Sequence, residues 1–403
     1  MPTPFGDVFT QLGDKFSEFV SVKDFGAKGG LADDTAKIQA ALNSGASRII
    51  FPAGSYCFSQ LTIPATVHAL VGYGPGATFL KCVDTMANYQ PWMYFDAIAG
   101  IEFSGFSITQ NKAIYGLNHA LNFGSCTDGH IHNLRFNEAG FFAVYMAGCT
   151  LMDVNRVTVA SHANSAITSE ANSQKIRVRE CNILSPGTGH SIAVAGGADH
   201  DVSGNFVNGS GPGSFGIAIG GSDSMVSKNR VVANHREGIN LQDASRVSIL
   251  DNIVRCEPGH ADFGISIYAA NAPVESCLVS GNRTYNSGGA GVGVASTNYT
   301  NAFCRYNRIA NNHVMNPIQA GAAIPLEARA GVLLYGPQTA GNVIQANTTI
   351  DQAANMRYGV AEWDDSLGAP SYNSFVHNHA PIGAGLVAQS HRLSGTTRTW
   401  DLP

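Results

Sequence analysis

Lysine nearly vanishes from this 403-residue chain beyond Gly100, where only Lys112, Lys175 and Lys228 occur, and charged residues of all kinds make up 13% of it. With a net charge of −5 the chain offers no basic surface for following a phosphate backbone, so nucleic acid is not an expected partner. Long apolar runs are missing as well, which removes a bilayer-spanning helix and any membrane partner from the expected functions. Residues 1–20 lack the basic start and continuous apolar core of a secretory leader, so export by a cleaved leader is not expected. Cysteine is present only singly, at Cys57, Cys82, Cys126, Cys149, Cys181, Cys256, Cys277 and Cys304, with no CxxC pair and no Cys/His metal spacing. The expectation is eight small buried hydrophobes, no disulfide, no metal and no cofactor.

Helical periodicity is also scarce. In its place the pattern Gly-Ile/Val-x-Ile/Val/Leu recurs at Gly216, Gly238, Gly264, Gly291 and Gly331, with weaker copies at Ala120, Ala143, Ala166, Ser191, Gly359 and Gly385. The successive spacings are 23, 23, 25, 25, 22, 26, 27, 40, 28 and 26 residues, a solenoid period. Each copy alternates apolar with small or polar residues, the two-residue period of a half-buried strand. A second short strand follows most copies and ends at an Asn: Asn205, Asn229, Asn252, Asn282 and Asn347. These amides are expected to stack at a turn and bond from rung to rung, Asn being tolerant of left-handed backbone. The fold expected is therefore all-β, a single-stranded parallel β-helix. Gly reaches 45 residues and 44% of the chain is hydrophobic, enough for tight turns around a long linear core.

Ahead of the coil, Phe5, Val8, Phe9, Leu12, Phe16 and Phe19 fall at helical spacing, which predicts an amphipathic leader helix over residues 1–20 and a β-helix domain over 21–403. Val22-Lys23-Asp24-Phe25-Gly26-Ala27 predicts a strand, Asp33-Asp34-Thr35 a carboxylate cap and one helix, and Phe51-Pro52-Ala53-Gly54-Ser55-Tyr56 a strand and tight turn. A helix laid over the first rung would cover an unpaired sheet edge. These three segments together resemble the N-terminus of the pectate-lyase-3 superfamily of right-handed parallel β-helix proteins, from Val22 to about Gly74. The leader followed by Phe19-Val20-Ser21-Val22-Lys23-Asp24-Phe25-Gly26 looks most like phage tailspike depolymerases. That resemblance implies a right-handed coil with a capping helix, a homotrimer, a polysaccharide or oligosaccharide substrate, and an extracellular or virion-associated location, with a cytoplasmic one as the alternative. The chain matches neither the Asp-Pro-His motif of the superfamily's epimerases nor the Gly-Asp-Asp of its polygalacturonases.

Aligning every rung on its pattern Gly gives two columns on one face. The first runs Tyr145, Thr168, Ala193, Ala218, Asn240, Ser266, Gly293, Leu333; the second runs Ala147, Glu170, Ala195, Gly220, Gln242, Tyr268, Ala295, Tyr335, Trp363. Small residues in the middle predict a groove floor bounded by Glu170 at one end and by Gln242 and Tyr268 at the other, suited to a saccharide chain or to a neighbouring subunit. Just before the strands stand His190, His235-Arg236-Glu237, His260 and Asp262. With rungs about 4.8 Å apart, Glu237 and Asp262 would bring their carboxyls within about 5–8 Å, the separation of a glycosidase pair. Asp243, about 16 Å along the strand, cannot pair with Glu237 and is assigned instead, with His190, His235, Arg236, Gln242, Tyr268, Glu170 and Trp363, to holding substrate. Surface ion pairing of His235, Arg236, Glu237 and Asp262 is the plain alternative. Glu362 falls on an inward slot, so either the register slips there or it has a buried partner. The long interval between Gly291 and Gly331 predicts a loop from Met315 through Pro325 to Arg329 that could wall the groove. The function expected is cleavage of glycosidic bonds in a polysaccharide. Polysaccharide lyase, uronate epimerase, fructotransferase and non-catalytic glycan-binding adhesin are the alternatives.

Overall fold

Alternating apolar residues at each repeat form a strand that pairs in parallel with the copy before and after it. In the computed structural model the residues described are 18–83, 90–209, 211, 214–234, 236–256, 263–297, 301–319, 325, 328–352, 355–363, 370–380, 389–392 and 398–400. The chain is a parallel β-solenoid of about twelve turns with little helix. It divides into two compact units, Met1–Asn182 and Ile183–Pro403.

In the first unit the coil starts at Phe19–Ser21, a strand paired in parallel with Arg48–Phe51. Phe19 thus belongs to the sheet and not to a leader helix; residues 1–17 lie outside the described residues. Val22–Phe25, expected as a strand, is a 3-10 turn. Ser21 and Asp24 form a capping box that satisfies two backbone N–H groups at its start, a local signal stronger than the strand preference of one Val. The helix Thr35–Leu42 buries Ile38, Ala41 and Leu42. The carboxylate that caps it is Asp33, which accepts the Thr35 N–H at 2.9 Å. The amide of Gln39 both donates to the Thr62 carbonyl (2.9 Å) and accepts its N–H (3.2 Å), so a helix side chain serves the exposed edge of strand Leu61–Ile63.

Asp34 holds this cap from beneath. Burial pushes its carboxyl up, but bonds from Lys37 (2.9 Å) and the Gly29 N–H (3.0 Å) outweigh that and hold it below the ordinary carboxylate value. A carboxyl depressed in the folded state stabilises above its unfolded pKa and loses that contribution as pH falls through the folded one. The expected result is that Asp34→Asn melts lower than the parent protein at neutral pH, and that the two melting temperatures converge under acid.

The second unit shows the rung most plainly. Val202, Val226, Ile249, Val279, Ile309, Ile344 and Phe375 stack in register, all fully buried, each removing about 1.5–3 kcal/mol of apolar surface from water. Three residues on, the expected Asn ladder is present. Asn205, Asn229, Asn252, Asn282, Asn312 and Asn347 each pass an amide N–H to the side-chain carbonyl of the next, ending at Asn378, all at 2.9 Å. The left-handed residue, however, is the one before each Asn: Gly204, Lys228, Asp251, Gly281, Asn311, Ala346 and His377 have φ between 49° and 70°. That corner turns the chain between its two strands, and the Asn beyond it points inward.

A shorter ladder runs Asn307, Asn342, Asn373. Its last amide donates to Glu362 Oε1 at 2.8 Å. Leu334 pairs with Glu362 in unbroken register, so the buried carboxylate is explained by a partner and not by a slip. The cysteines are free, and all but the half-buried Cys82 are buried.

Candidate active site

The site lies on the second sheet of the second unit, where Ile239–Gln242, Ile265–Ala269, Val292–Ser296, Ala330–Tyr335 and Tyr358–Trp363 pair in parallel. Their register places Asn240, Ser266, Gly293 and Leu333 in one column and Gln242, Tyr268, Ala295, Tyr335 and Trp363 in the next, as the pattern glycines predict. Asn240, Ser266, Gly293 and Leu333 are buried and form a floor along which Asn240 donates to Ser266 Oγ at 2.7 Å.

Above that floor is a cavity of about 380 Å³. Phe215, Phe263, Tyr268, Tyr335 and Trp363 line it, and Pro325 and Ala328 of the long loop contribute to it. Phe263 stacks on Tyr335 (6.2 Å, 23°), which in turn meets Trp363 (6.1 Å). Ala295 stands between Tyr268 and Tyr335 in the column and leaves a gap two rungs wide, about 10 Å. Phe263 sits on Gly293, where a Cβ would come within 2.8 Å of the ring. Gly293→Ala is expected to push Phe263 into the cavity and weaken substrate binding, with KM rising severalfold while the melting temperature moves by only a few degrees.

Glu237 opens into this cavity while only 5% exposed. Arg236 Nε lies 3.2 Å from its Oε2. The Arg236 guanidinium rests over the Phe215 ring (5.0 Å), and that ring stacks flat on His190 (4.8 Å, 2°). His190 accepts the Phe215 N–H at Nδ1 (3.0 Å), which fixes its proton on Nε2, and burial followed by the Arg236 charge lowers its pKa. Behind the carboxylate, burial and the Glu237 charge push the Cys256 thiol up to about 12.

The structure thus brings Arg236, Glu237, Gln242, Tyr268 and Trp363 to one cavity and ties His190 to it through Phe215. Asp243 is not among the lining residues. Its backbone is left-handed (φ 56°), and its Oδ1 accepts the N–H groups of Ala270, Asn271 and Ala272 at 2.7–3.1 Å, organising a turn of the next rung. Asp243→Ala is therefore expected to cost about 2–4 kcal/mol of stability with kcat nearly unchanged, checked by denaturation beside steady-state kinetics. Glu170 belongs to the first unit, where it accepts from Tyr145 Oη at 3.1 Å. His235 and Asp262 lie outside the described residues. Phe215 and Phe263 escaped the sequence reading, although both stand directly before a pattern glycine, in Phe215-Gly216-Ile217 and Phe263-Gly264-Ile265. Among the described residues, no three His, Cys, Asp or Glu side chains converge as a metal-ligand set. No helix among them is long and apolar enough to cross a membrane.

Residues 19–262 match the model of the family described as rhamnogalacturonase A/epimerase, pectate lyase-like. No curated protein matches the sequence. Among solved structures, the A-module of mannuronan C-5 epimerase AlgE6 from Azotobacter vinelandii is similar over 95% of this chain and 99% of its own, at 15% identity and TM-score 0.70. The Streptococcus pneumoniae surface adhesin PfbA is similar over 87% and 93%, at 13% identity and TM-score 0.63. The catalytic unit of the GH87 α-1,3-glucanase from Streptomyces thermodiastaticus is similar over 91% and 69%, at 13% identity and TM-score 0.61. At these identities the likeness is one of fold.

Proposed function

The chain belongs to the rhamnogalacturonase A/epimerase, pectate lyase-like family, and from that premise we propose that it is a carbohydrate-active enzyme cleaving glycosidic bonds of a polysaccharide. The observation that carries this is a nearly buried carboxylate, Glu237, at the wall of a cavity lined by aromatic rings. Aromatic faces bind the apolar faces of sugar rings, and the gap at Ala295 gives one ring a place between Tyr268 and Tyr335.

Asp262 is the proposed second carboxylate. What supports the pairing is that Gly238, the residue after Glu237, gives its N–H to the carbonyl of Phe263, so Gly238 and Phe263 stand on facing rungs. With the Arg236 guanidinium beside it, Glu237 is assigned as base or nucleophile and Asp262 as the acid that protonates the departing oxygen. Gln242 and the Arg236 side chain hold the sugar hydroxyls. Arg236 also gives the cavity a cation that could neutralise a uronate, which makes elimination or epimerisation the second reading.

Incubation with capsular, pectic, alginate and fructan polymers tests this. New reducing ends without ultraviolet absorbance of unsaturated uronates are expected. Both signals together would establish elimination, and binding without either would make the protein an adhesin. By the same resemblance we propose an extracellular or virion-associated homotrimer, for which light scattering should return three times the chain mass.

A further inference from the structure

The outer side of the first sheet in the second unit carries a row of arginines that catalysis in the cavity does not use. Register places Arg230, Ile253, Arg283 and His313 in one column and Val232, Arg255, Tyr285 and Met315 in another, with successive members about 4.8 Å apart. The residues between the columns, Val231, Val254, Thr284 and Val314, are buried, so both columns face outward. Arg308 stands across the corner in the neighbouring strand, and Lys228 occupies the corner before Arg230.

Arg230, Arg255, Arg283 and Arg308 are all exposed, and among the described residues no carboxylate lies within ion-pairing distance of any of them. This is unlike Arg246 and Arg305 of the same unit, which pair with Asp223 and Glu275. Asp251 stands on the corner beside Gly281, and Glu257, two residues beyond Arg255, lies outside the described residues. An open hollow of about 390 Å³ lies among Gly281, Asn282, Arg283, Tyr285, Asn311 and His313. The Arg255 guanidinium caps the Tyr285 ring at 5.5 Å.

We propose that this face is a second glycan-binding surface that holds an anionic polysaccharide, its acid groups on the arginines and one sugar ring in the hollow against Tyr285 and His313. An extended polymer with one acid group per sugar repeats its charge on the length scale of the rungs. Guanidinium groups are suited to paired hydrogen bonds with carboxylates. The near absence of lysine and the net charge of −5 make the row a local feature on an acidic chain, poorly suited to long nucleic acid. The reading rests on the proposed function only in naming the bound polymer as the substrate's own class.

Native gels containing polygalacturonate, alginate or neutral dextran test it, with the parent protein, Glu237→Gln, and the combined Arg230→Gln, Arg255→Gln, Arg283→Gln, Arg308→Gln variant run side by side. Retardation of the parent and of Glu237→Gln by at least one polyanion is expected, with none by dextran and progressive loss as NaCl is raised. The combined variant should bind about tenfold more weakly while keeping its activity on short oligosaccharides. If the combined variant loses its circular dichroism spectrum, the four single variants replace it, each with a smaller loss of retardation. Equal retardation of variant and parent, no retardation of the parent by either polyanion, or retardation by single-stranded DNA alone overturns the proposal. Failure of the cavity reading would show separately, as undiminished cleavage by Glu237→Gln with retardation intact.

Discussion

Glu237→Gln is expected to lower kcat for polysaccharide cleavage by about a thousandfold while leaving KM and the melting temperature close to those of the parent protein. The amide keeps the shape and one acceptor oxygen, so Arg236 can still face an oxygen at this position, and the aromatic walls that bind sugar are untouched. Only the capacity to accept a proton or attack carbon is removed. Asp262→Asn should cause a loss of similar size. Together the two should lose little more than either alone, because the carboxylates act as one unit on the same bond. Arg236→Lys offers a finer reading: it keeps the charge but loses the planar guanidinium stacked on Phe215, so KM should rise along with a fall in kcat. Retention by Glu237→Gln of more than a tenth of parental kcat would refute this assignment.

The scaffold was largely legible because its register is written in a two-residue period and a recurring glycine. That is why the columns Asn240 to Leu333 and Gln242 to Trp363 form as read. What lies over those columns was legible only in part. Pro325 and Ala328 reach the cavity from the loop that the long interval between Gly291 and Gly331 announced, but alternation tells only which side of a strand a residue faces, and Phe215 and Phe263 fold over the floor from rung edges. Of the small residues expected to form an open floor, Ala195, Ala218 and Gly220 keep exposure and Ala193 is buried. Asp243 misled for a related reason: its acceptors are claimed by backbone N–H groups some 27–29 residues later, a demand no local pattern announces. The inward Glu362 was visible as an anomaly, whereas its partner Asn373 stands just before the following strand, Ser374–Val376.

Asn282→Ala is expected to have the largest effect on stability, about 4–6 kcal/mol, although the residue touches no part of the cavity. Its side chain donates to the Ile249 carbonyl (2.8 Å) and to Asn312 Oδ1 (2.9 Å), and accepts the backbone and amide N–H groups of Asn252 (2.9 Å each), all with no solvent exposure. Truncation leaves those groups buried without partners, at about 1–3 kcal/mol each before relaxation, and interrupts a chain of amides that polarise one another. Because a solenoid is held by neighbouring rungs, the damage should be local. Hydrogen exchange should speed most in the strands Ser248–Leu250, Leu278–Ser280 and Arg308–Ala310. Asn282→Asp separates the ladder from simple packing. Ionised, it places a buried charge against Asn312 Oδ1 and lacks a donor; protonated, it regains one. Its folded-state pKa is therefore raised where that of Asp34 is lowered, so the deficit relative to the parent should shrink as pH falls through that value because the variant gains stability, whereas at Asp34 it shrinks because the parent loses it. A parental exchange pattern in Asn282→Ala would show that the stacked valines and isoleucines alone hold the rungs in register.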